Sequence, residues 1–446
     1  MSRGQNNPAQ LVSLTREQVD PTACETVLTL QRAGHTAYLV GGGVRDLLLG
    51  RRPKDFDIAT NASFGEVRRL FPRTRLIGRR FPILHLRLGR SLFEVARFRK
   101  RESPEEGMRD PLATDNCYGT PEEDAQARDF TVNALFYDPR EGRVIDLVGG
   151  LRDLKTRTLR SIGDPLVWYY EDPVRILRAA RFVGKLNFNL PAEEREAMEA
   201  RSSLLDLCPP QRVTEEVFKT LESGGSAQAF FVLWQTGVLA HLLPQLCDVV
   251  GATGGDCSDT LRVLQALDTQ VLAHRDLPRD YLFAALYYAA VRHRRGQRAS
   301  AEGNGAPCRP SASDGASRTE WFHDENSRLQ IPRAYRARQR ALMGIVNDVL
   351  GETREKRLAR LARHPAFPYL MALLRLHERC FGGVEDCYCR LRKIADERDL
   401  NVAPSRRDLC RARVRRNKRR GLERPRRIRR SKGNAPGGES PASSVP

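Results

Sequence analysis

The stretch from Leu39 to Ile58 limits what this chain of 446 residues can fold into more strongly than any other part of it. Residues 37–40 predict a short buried strand, and the glycines 41–43 follow at once. Glycines directly after a strand predict a tight turn that opens a helix, here one running to about residue 49. The order of strand, turn and helix indicates a mixed α/β unit.

Two aspartates, Asp55 and Asp57, end this stretch. In an extended segment, side chains two residues apart point to the same face, so both carboxylates are expected at one spot while Phe56 and Ile58 enter a core. Two like charges held this close repel each other unless a cation lies between them, and a divalent metal is the usual solution. A glycine turn also offers backbone N–H groups to phosphates. Together these features indicate chemistry on nucleotides.

Glu94 is the candidate for a third carboxylate, which nucleotidyl transfer with two Mg²⁺ ions usually needs. It lies in a predicted strand between the apolar residues Phe93 and Val95, where an isolated charge is costly unless it meets a metal or a cation. The alternative is an ion pair with Arg97 or Arg99, since charged side chains commonly pair.

Charge and cysteine content restrict the class of protein. The net charge of +20 predicts a polyanionic partner, and residues 405–432 hold much of the excess, with fifteen Lys or Arg residues and two acids. The ten cysteines follow no regular framework, and residues 1–10 form no apolar signal-peptide core. No run of eighteen apolar residues predicts a membrane span. We therefore expect a cytoplasmic protein with reduced thiols and no membrane partner.

One group of residues has the types, but not the spacing, of a zinc site. It consists of His377, Cys380, Cys387 and Cys389. The pattern H-x2-C-x6-C-x-C fits no common zinc finger, and cysteine is often simply buried. We therefore expect no zinc at this position.

The chain is too long for one compact core, and its patterning changes along its length. Strands are predicted near 37–40, 55–60, 84–88, 92–98, 129–137 and 143–147. Helices are predicted near 171–182, 192–201, 211–222, 226–239, 259–273, 279–293, 333–350, 354–362, 367–378 and 385–396. We divide the chain into a flexible N-terminus (1–19), a catalytic head (20–155), a helical neck (156–225), a helical body (226–403) and a tail (404–446). The body insertion 296–318 and the basic tail are predicted to be disordered.

Four motifs occur in a fixed order. They are Gly41-Gly-x-x-Arg-Asp with Asp55-x-Asp57, Arg128-Asp-Phe-Thr-Val-Asn133, Asp146-Leu-Val-Gly-Gly-Leu-Arg-Asp-Leu154, and Glu171-Asp-Pro-Val-Arg175. In this order they resemble the class II tRNA nucleotidyltransferase and bacterial poly(A) polymerase family of the polymerase β-like superfamily, over about residues 20–245. The resemblance implies an α+β fold, in which a head with a mixed five-stranded sheet precedes an all-α neck and body. It also implies Mg²⁺-dependent, template-free addition of nucleotides to RNA 3′ ends.

The resemblance assigns roles to individual residues. Asp55, Asp57 and Glu94 match the catalytic acidic positions, with Asp55 and Asp57 as metal ligands. The residues implied to hold the incoming nucleotide are Gly41, Gly42, Arg45, Asp46, Arg128, Asp129, Asn133, Asp172, Arg175 and Arg178. The family usually has two arginines before Asp129, but the first of them is Ala127 here. This departure puts one phosphate or ribose contact in question, not the fold.

Asp172 and Arg175 match the pair that contacts the base edge in CCA-adding members, because an Arg fork and an Asp acceptor suit A or C. Asp172 also fits an N-cap before Pro173 in the first turn of a helix. A cation in the first turn, such as Arg175, opposes the helix dipole, although the two residues could pair at i,i+3. Arg212, on the predicted neck helix 211–222, supports the nucleotide pocket or serves the core or surface.

Two features favour a poly(A) polymerase over a tRNA CCA- or A-adding enzyme. Residues 76–86 resemble a segment typical of bacterial poly(A) polymerases, in which Arg79 and Arg80 beside Gly78 form a phosphate-binding corner or an ordinary basic loop. The tail suits sequence-independent contact with RNA phosphates, or is a solvated low-complexity end. We therefore expect a monomer that adds AMP from ATP to RNA 3′ ends, single-stranded or tRNA, with CCA or A addition as the alternative.

Overall fold

The fold is described from a computed structural model, which describes residues 14–78, 82–89, 91–100, 119–244, 246–247, 259–274, 277–288, 329–351, 355–364, 366–398 and 400. Residues 1–13, the corner residues Arg79 and Arg80, the insertion 296–318 and the tail 404–446 lie outside them. Residues 14–19, predicted as part of a flexible terminus, include the 3₁₀ turn Arg16–Gln18 and two buried side chains. The packed part of the head therefore begins before residue 20.

The first part of the described chain alternates helices and strands. In chain order the elements are α1 (Pro21–Arg32), β1 (Ala37–Val40), α2 (Gly42–Leu48), β2 (Asp57–Thr60), α3 (Phe64–Leu70), β3 (Thr74–Ile77), β4 (Ile83–Leu88), β5 (Ser91–Arg97), α4 (Pro121–Gln126), β6 (Leu135–Asp138), β7 (Arg143–Asp146) and α5 (Gly150–Thr156). Asp20 caps α1 by accepting the Ala23 N–H at 2.9 Å, and Pro21 occupies the first turn.

The strands form one mixed sheet in the order β3-β4-β5-β2-β1-β6-β7. β2 and β5 pair in parallel, and the other neighbouring strands pair antiparallel. The sheet has seven strands where the resemblance implies five. The edge strand β3 extends the sheet by pairing with β4. Most side chains of β3 are exposed, so its sequence lacks the alternation of apolar and polar residues that predicts a strand.

The start of β2 corrects one prediction. β1 has four residues, and its last, Val40, pairs with Asp57. Asp55 therefore lies outside the ladder, so the prediction that the strand begins at residue 55 is wrong, whereas the convergence of the Asp55 and Asp57 carboxylates stays a prediction. Ile58 is buried as predicted, and Phe56 is partly buried against the core.

The segment 129–137, predicted as extended, turns before it becomes a strand. A 3₁₀ turn covers Thr131–Asn133, and β6 begins at Leu135. Oδ1 of Asp129 accepts from the N–H of Phe130 at 2.8 Å and from Nδ2 of Asn133 at 3.0 Å. These side-chain hydrogen bonds compete with strand pairing and fix the turn.

The second part of the chain is helical, as predicted. It contains α6 (Pro165–Glu171), α7 (Val174–Leu186), α8 (Ala192–Arg201), α9 (Pro210–Leu221), α10 (Ser226–Gln235), α11 (Val238–Leu242), α12 (Asp259–Ala273), α13 (279–288), α14 (Arg333–Gly351), α15 (Glu355–Leu361), α16 (Phe367–Phe381) and α17 (Glu385–Asp396). The predicted helix 226–239 divides into α10 and α11 at Gly237, which has φ of 67°. The short helices α4, α5 and α6 were not predicted. No helix of the described ranges is long and apolar enough to cross a membrane.

One continuous apolar core joins the head to the helices. It runs from α1 and the sheet through α7, α9 and α10 to α16 and α17. A smaller cluster, which includes Val40, Phe98 and Phe136, forms separately from it. Burial of this extent makes the sheet and the neck helices one packed unit.

Helices α7 and α10 cross with their backbones in contact. A Cβ added to Gly184 would lie 2.0 Å from the carbonyl oxygen of Gly225, and one added to Gly225 would lie 2.3 Å from the backbone of Gly184. Backbone atoms cannot move aside as a flexible side chain does. Since α7 also carries Arg175 and Arg178, this crossing sets where both arginines lie relative to the head.

We expect Gly184→Ala to lower the free energy of unfolding by about 2–3 kcal/mol, because the added methyl group overpacks a backbone contact. The matched control is Gly344→Ala in α14, where a Cβ would meet nothing within 4 Å. That substitution should raise the free energy of unfolding by ~0.5–1 kcal/mol, because alanine loses less backbone entropy on folding. Urea denaturation followed by circular dichroism measures both, and equal effects would contradict the crossing.

Candidate active site

Asp57 and Glu94 are neighbours on the parallel strands β2 and β5. Their Cα atoms are register partners, so both side chains leave the same face of the sheet. Asp57 also pairs with the last residue of β1, which places it beside the Gly41 turn. The Glu94 side chain is 47% exposed, and its Oε1 lies 3.4 Å from Nε2 of His85 on β4. The sequence suggested arginines as partners of Glu94, whereas the contact described for it is with His85, which is an ion pair only when the imidazole is protonated.

The protonation of Asp57 reflects this placement. Burial, then the charge of Glu94 and more weakly that of Asp55, raises the pKa of Asp57 from 3.8 to about 6, against the opposing effect of Arg128. A carboxyl group that is costly to ionise beside two other acids is suited to a divalent cation, which would remove the repulsion. The oxygen donors present therefore fit Mg²⁺.

The structure does not draw the three acids into one closed centre. The Asp55 side chain is 65% exposed, and its Oδ2 lies 3.8 Å from Nζ of Lys54. In the part of the chain that the structure describes, no three His, Cys, Asp or Glu side chains converge closely enough to hold a metal ion. Asp55 lies beyond the β1–β2 ladder and Glu94 contacts His85, so the role of these acids as metal ligands stays a prediction.

The Gly41 turn lies between Asp57 and two guanidinium groups. Gly41 has φ of 77°, in the left-handed region. A Cβ there would lie 3.3 Å from Nη1 of Arg128 and 3.6 Å from Oδ2 of Asp57. A Cβ on Gly42 would lie 3.4 Å from Nη2 of Arg45. An anion held at this turn would therefore meet both backbone N–H groups and positive charge.

Arg45 is buried, with only 2% of its side chain exposed. Its Nε and Nη2 donate to Oδ1 of Asp46 at 2.8 and 2.6 Å, and its Nη1 donates to Oδ1 of Asn133. Its guanidinium carbon lies 5.5 Å from the ring centroid of Phe182 on α7. Arg45 and Asp46 thus pair with each other and position the turn, while their predicted contact with a nucleotide stays a prediction.

Asp129 joins the head to α7. Its Oδ2 accepts from Nε of Arg178 at 2.6 Å, and its Oδ1 accepts from Asn133. Burial alone would raise the pKa of Asp129, but Arg178 and the hydrogen bonds from Asn133 and Phe130 hold that pKa below its usual value. One contiguous network of hydrogen bonds therefore joins three residues that were predicted separately from the sequence, Asp129, Asn133 and Arg178.

Arg128 lies on the other side of the Gly41 turn. Its Nε and Nη2 donate to Oδ2 of Asp124 at 2.9 and 2.7 Å, and its guanidinium carbon lies 5.3 Å from the ring centroid of Phe136. Asp124 is 1% exposed and also approaches Nε of Arg99 at 3.6 Å. Asp124 is not among the residues predicted from the sequence, although its i,i+4 spacing from Arg128 indicates an ion pair on one helix face.

Asp172 and Arg175, predicted as a base-contacting pair, do not pair with each other. Oδ2 of Asp172 accepts from Nη2 of Arg212 at 2.6 Å, and its Oδ1 accepts from the N–H at the start of α7 at 3.3 Å. Arg175 donates from Nη1 to the carbonyl of Trp168 and to Glu171, both at 2.9 Å, and stacks on the Trp168 ring at 4.6 Å. The N-cap of α7 is Pro173 and not Asp172 as predicted, and the ionic partner of Asp172 comes from α9.

Comparison with known proteins identifies two parts of this chain. Residues 37–160 match the family described as "Poly A polymerase head domain", and residues 187–249 match one described as "Probable RNA and SrmB- binding site of polymerase A". Poly(A) polymerase I of Salmonella typhimurium is 38% identical over 291 residues, which make up 63% of this chain and 63% of that protein. A CCA-adding enzyme of a Geobacillus species is 40% identical over 222 residues, 50% of this chain and 54% of that enzyme.

A solved structure shares the fold. The CCA-adding enzyme of Bacillus stearothermophilus, in complex with CTP, superposes with a TM-score of 0.63 at 24% identity, over 85% of this chain and 83% of that one. The predicted α+β architecture of head and helical neck is thereby confirmed. The chain spans 63% of the length of the Salmonella relative.

We expect Asp57→Asn to stabilise the protein above pH 6. The pKa of Asp57 is raised from 3.8 to about 6 on folding, so the folded chain binds more protons between these values and the free energy of unfolding falls as the pH rises through them. Asparagine cannot ionise, so the substitution removes the free-energy cost of ionising Asp57 in the folded protein. The expected gain is roughly 2–3 kcal/mol at pH 8 in metal-free buffer, from 1.36 kcal/mol per pKa unit, and close to zero at pH 4.

Urea denaturation at the two pH values measures this difference. The matched control is Asp55→Asn, which removes an exposed carboxylate and should change the free energy of unfolding little at either pH. Added Mg²⁺ at pH 8 should raise the melting temperature of the unsubstituted protein but not that of Asp57→Asn. Equal stabilisation by the two substitutions would contradict the assignment of the penalty to Asp57.

Proposed function

We propose that the protein is a template-independent RNA 3′-end nucleotidyltransferase, because residues 37–160 match the family described as "Poly A polymerase head domain". It adds AMP from ATP and releases pyrophosphate. The observation that carries the proposal is the placement of Asp57 and Glu94 on neighbouring strands, beside the Gly41 turn and Arg128. Paired carboxylates beside phosphate-binding groups are what transfer of a nucleotidyl group requires.

The relatives favour poly(A) addition over the alternative of tRNA CCA or A addition. The match to poly(A) polymerase I covers 63% of this chain, and the match to the CCA-adding enzyme covers 50%. A small-molecule nucleotidyltransferase shares the Asp-x-Asp logic, but the motifs through Arg175 and the basic tail disfavour it. A non-catalytic RNA-binding protein is disfavoured because both Asp55 and Asp57 are present.

In the proposed reaction, the 3′-hydroxyl of RNA attacks the α-phosphate of ATP in line. Two Mg²⁺ ions, when bound, would activate the hydroxyl and neutralise the leaving pyrophosphate, and Asp55, Asp57 and Glu94 would hold them. Arg128 and the N–H groups of the Gly41 turn contribute fixed positive charge for the phosphates. Since Asp124 and the carbonyl of residue 133 hold Arg128, this charge is oriented before substrate arrives.

The sugar and base of ATP are held by groups that the neck helices fix. Asn133 and Asp129 lie on the turn that Arg178 ties to α7, so we assign them to the ribose and phosphates. Asp172 and Arg175 lie at the start of α7, and we assign them to the base edge. We expect the protein to act as a monomer in the cytoplasm, with RNA 3′ ends as its partner.

We expect the full-length protein to make long A tracts on unstructured RNA when ATP is supplied. It should add A to a tRNA that lacks its 3′ end in the same way, without stopping after one to three nucleotides. A denaturing gel of products formed with ATP alone, CTP alone and both nucleotides measures this outcome. Addition of only one to three nucleotides, and to tRNA alone, would contradict the assignment as a poly(A) polymerase.

The same gel tests the acids. Asp57→Asn should reduce AMP incorporation by at least roughly 100-fold, the order expected when a main source of transition-state stabilisation is lost. The control is Asp259→Asn on α12, a carboxylate outside the site that pairs weakly with Arg262 at 4.0 Å. Full activity of Asp57→Asn would refute the site.

We propose that residues 405–432 contact RNA phosphates. Deletion of residues 405–446 should weaken RNA binding and flatten its dependence on salt, because the number of counterions released scales with the number of phosphates neutralised. Fluorescence anisotropy with a labelled oligonucleotide between 50 and 300 mM salt measures the slope. A control of unchanged length, with the tail arginines replaced by glutamine, should match the deletion. If the salt dependence of RNA affinity stays the same after the deletion, residues 405–432 do not contact RNA phosphates.

A further inference from the structure

Helix α6 presents an apolar outer face next to the candidate site. Its inner face is packed, because Trp168 is 4% exposed against Phe130 and the Tyr169 hydroxyl donates to Glu194 at 2.7 Å. Its outer face carries three exposed apolar side chains, Leu166, Val167 and Tyr170, at 41, 49 and 64% exposure. Three such side chains on a helix of seven residues mark a surface with a binding role.

Tyr170 is held as a platform by Arg201, at the end of α8. The guanidinium carbon of Arg201 lies 5.3 Å from the Tyr170 ring centroid, and its Nε donates to the carbonyl of Leu166 at 3.4 Å. The arginine is therefore anchored to the same helix as the ring beside it. No other aromatic side chain of the described residues is exposed to this degree. A ring and a guanidinium group fixed together are suited to an unpaired nucleobase with its phosphate.

The same helix is tied directly to the base-contacting end of the site. Trp168 and Glu171 of α6 both accept hydrogen bonds from Arg175, and Tyr170 lies two residues before Asp172. A base stacked on Tyr170 would therefore belong to a strand that passes close to the place where ATP is bound. The single strand that must reach this place is the RNA whose 3′ end is extended.

We propose that Tyr170 and Arg201 form a stacking subsite for an unpaired base of the RNA strand, upstream of the nucleotide being extended. The subsite rests on the proposed function for the identity of the strand. RNA is favoured over a protein partner because a cation covers the ring, and because Arg201 lies in residues 187–249, the segment matched to an RNA-binding family. Stacking does not distinguish one base from another, so it suits an enzyme that accepts varied 3′ ends.

The test measures RNA binding without catalysis. Full-length protein is titrated against a labelled single-stranded oligonucleotide of fifteen nucleotides, with no ATP and no Mg²⁺. Tyr170→Ala should weaken the affinity roughly ten-fold, within the range of 1–3 kcal/mol per stacked base. Tyr170→Phe keeps the ring and should retain the affinity. Arg201→Ala should give a smaller loss and a shallower salt dependence.

The matched control is Leu272→Ala on α12, which removes an apolar side chain of the same 64% exposure elsewhere. It should leave RNA affinity unchanged. In the adenylation assay, Tyr170→Ala should raise KM for RNA by about the same factor as the dissociation constant, while KM for ATP and kcat at saturating RNA stay as before. An oligonucleotide carrying 2-aminopurine near its 3′ end should lose fluorescence on binding, and lose less with Tyr170→Ala.

The outcomes separate this proposal from the proposed function. RNA binding that weakens in Tyr170→Ala supports the subsite even if no AMP is incorporated, and in that case only the proposed function fails. Adenylation with an unchanged RNA affinity and KM in Tyr170→Ala overturns the subsite and leaves the apolar face to a protein partner. Loss of affinity in Tyr170→Phe equal to that in Tyr170→Ala also overturns it, because stacking needs the ring and not the hydroxyl.

Discussion

The buried guanidinium of Arg45 is the interaction on which the rest of the candidate site depends. A charge at 2% exposure is stable only if each of its donors meets a partner. Asp46 and Asn133 supply hydrogen bonds and Phe182 supplies a ring, so the partners come from α2, from the turn before β6 and from α7. Asn133 also donates a hydrogen bond to Asp129, and Asp129 in turn accepts one from Arg178 of α7. The glycine turn, the nucleotide motif and the neck are therefore joined by one series of hydrogen bonds and ion pairs and cannot shift independently.

Two aspartates of this site show how differently the fold treats the same side chain. Asp129 is partly buried but surrounded by donors, and its pKa is lowered. Asp57 is partly buried among other acids, and its pKa is raised to about 6. The first carboxylate holds the structure together, whereas ionisation of the second opposes folding until a cation arrives. The charges around each carboxylate, and not its residue type, therefore decide whether its pKa is raised or lowered.

Much of the fold could be predicted from the sequence, but the partners of the candidate site residues could not. The glycine turn and Asp57 follow from local spacing, and helical periodicity gave most neck and body helices within a few residues. Asp55 was predicted inside the strand because the register of β1 against β2, which pairs Val40 with Asp57 and leaves Asp55 outside the ladder, is not specified by local sequence. The pairing of Asp172 with Arg212 joins positions 40 residues apart, so it depends on how α7 packs against α9. Tertiary packing decides long-range pairings of this kind, so the spacing of residues in the sequence does not predict them.

The crossing of α7 and α10 has a consequence for how this chain can change over time. Most packed contacts offer a remedy when one side chain grows, because a neighbour can be trimmed to make room. At Gly184 and Gly225 both surfaces are backbone, so no neighbour exists to trim. A larger residue at either glycine can be accommodated only if a whole helix moves. If that helix is α7, Arg175 and Arg178 move with it. This contact can be kept or lost, but it cannot be adjusted by small steps.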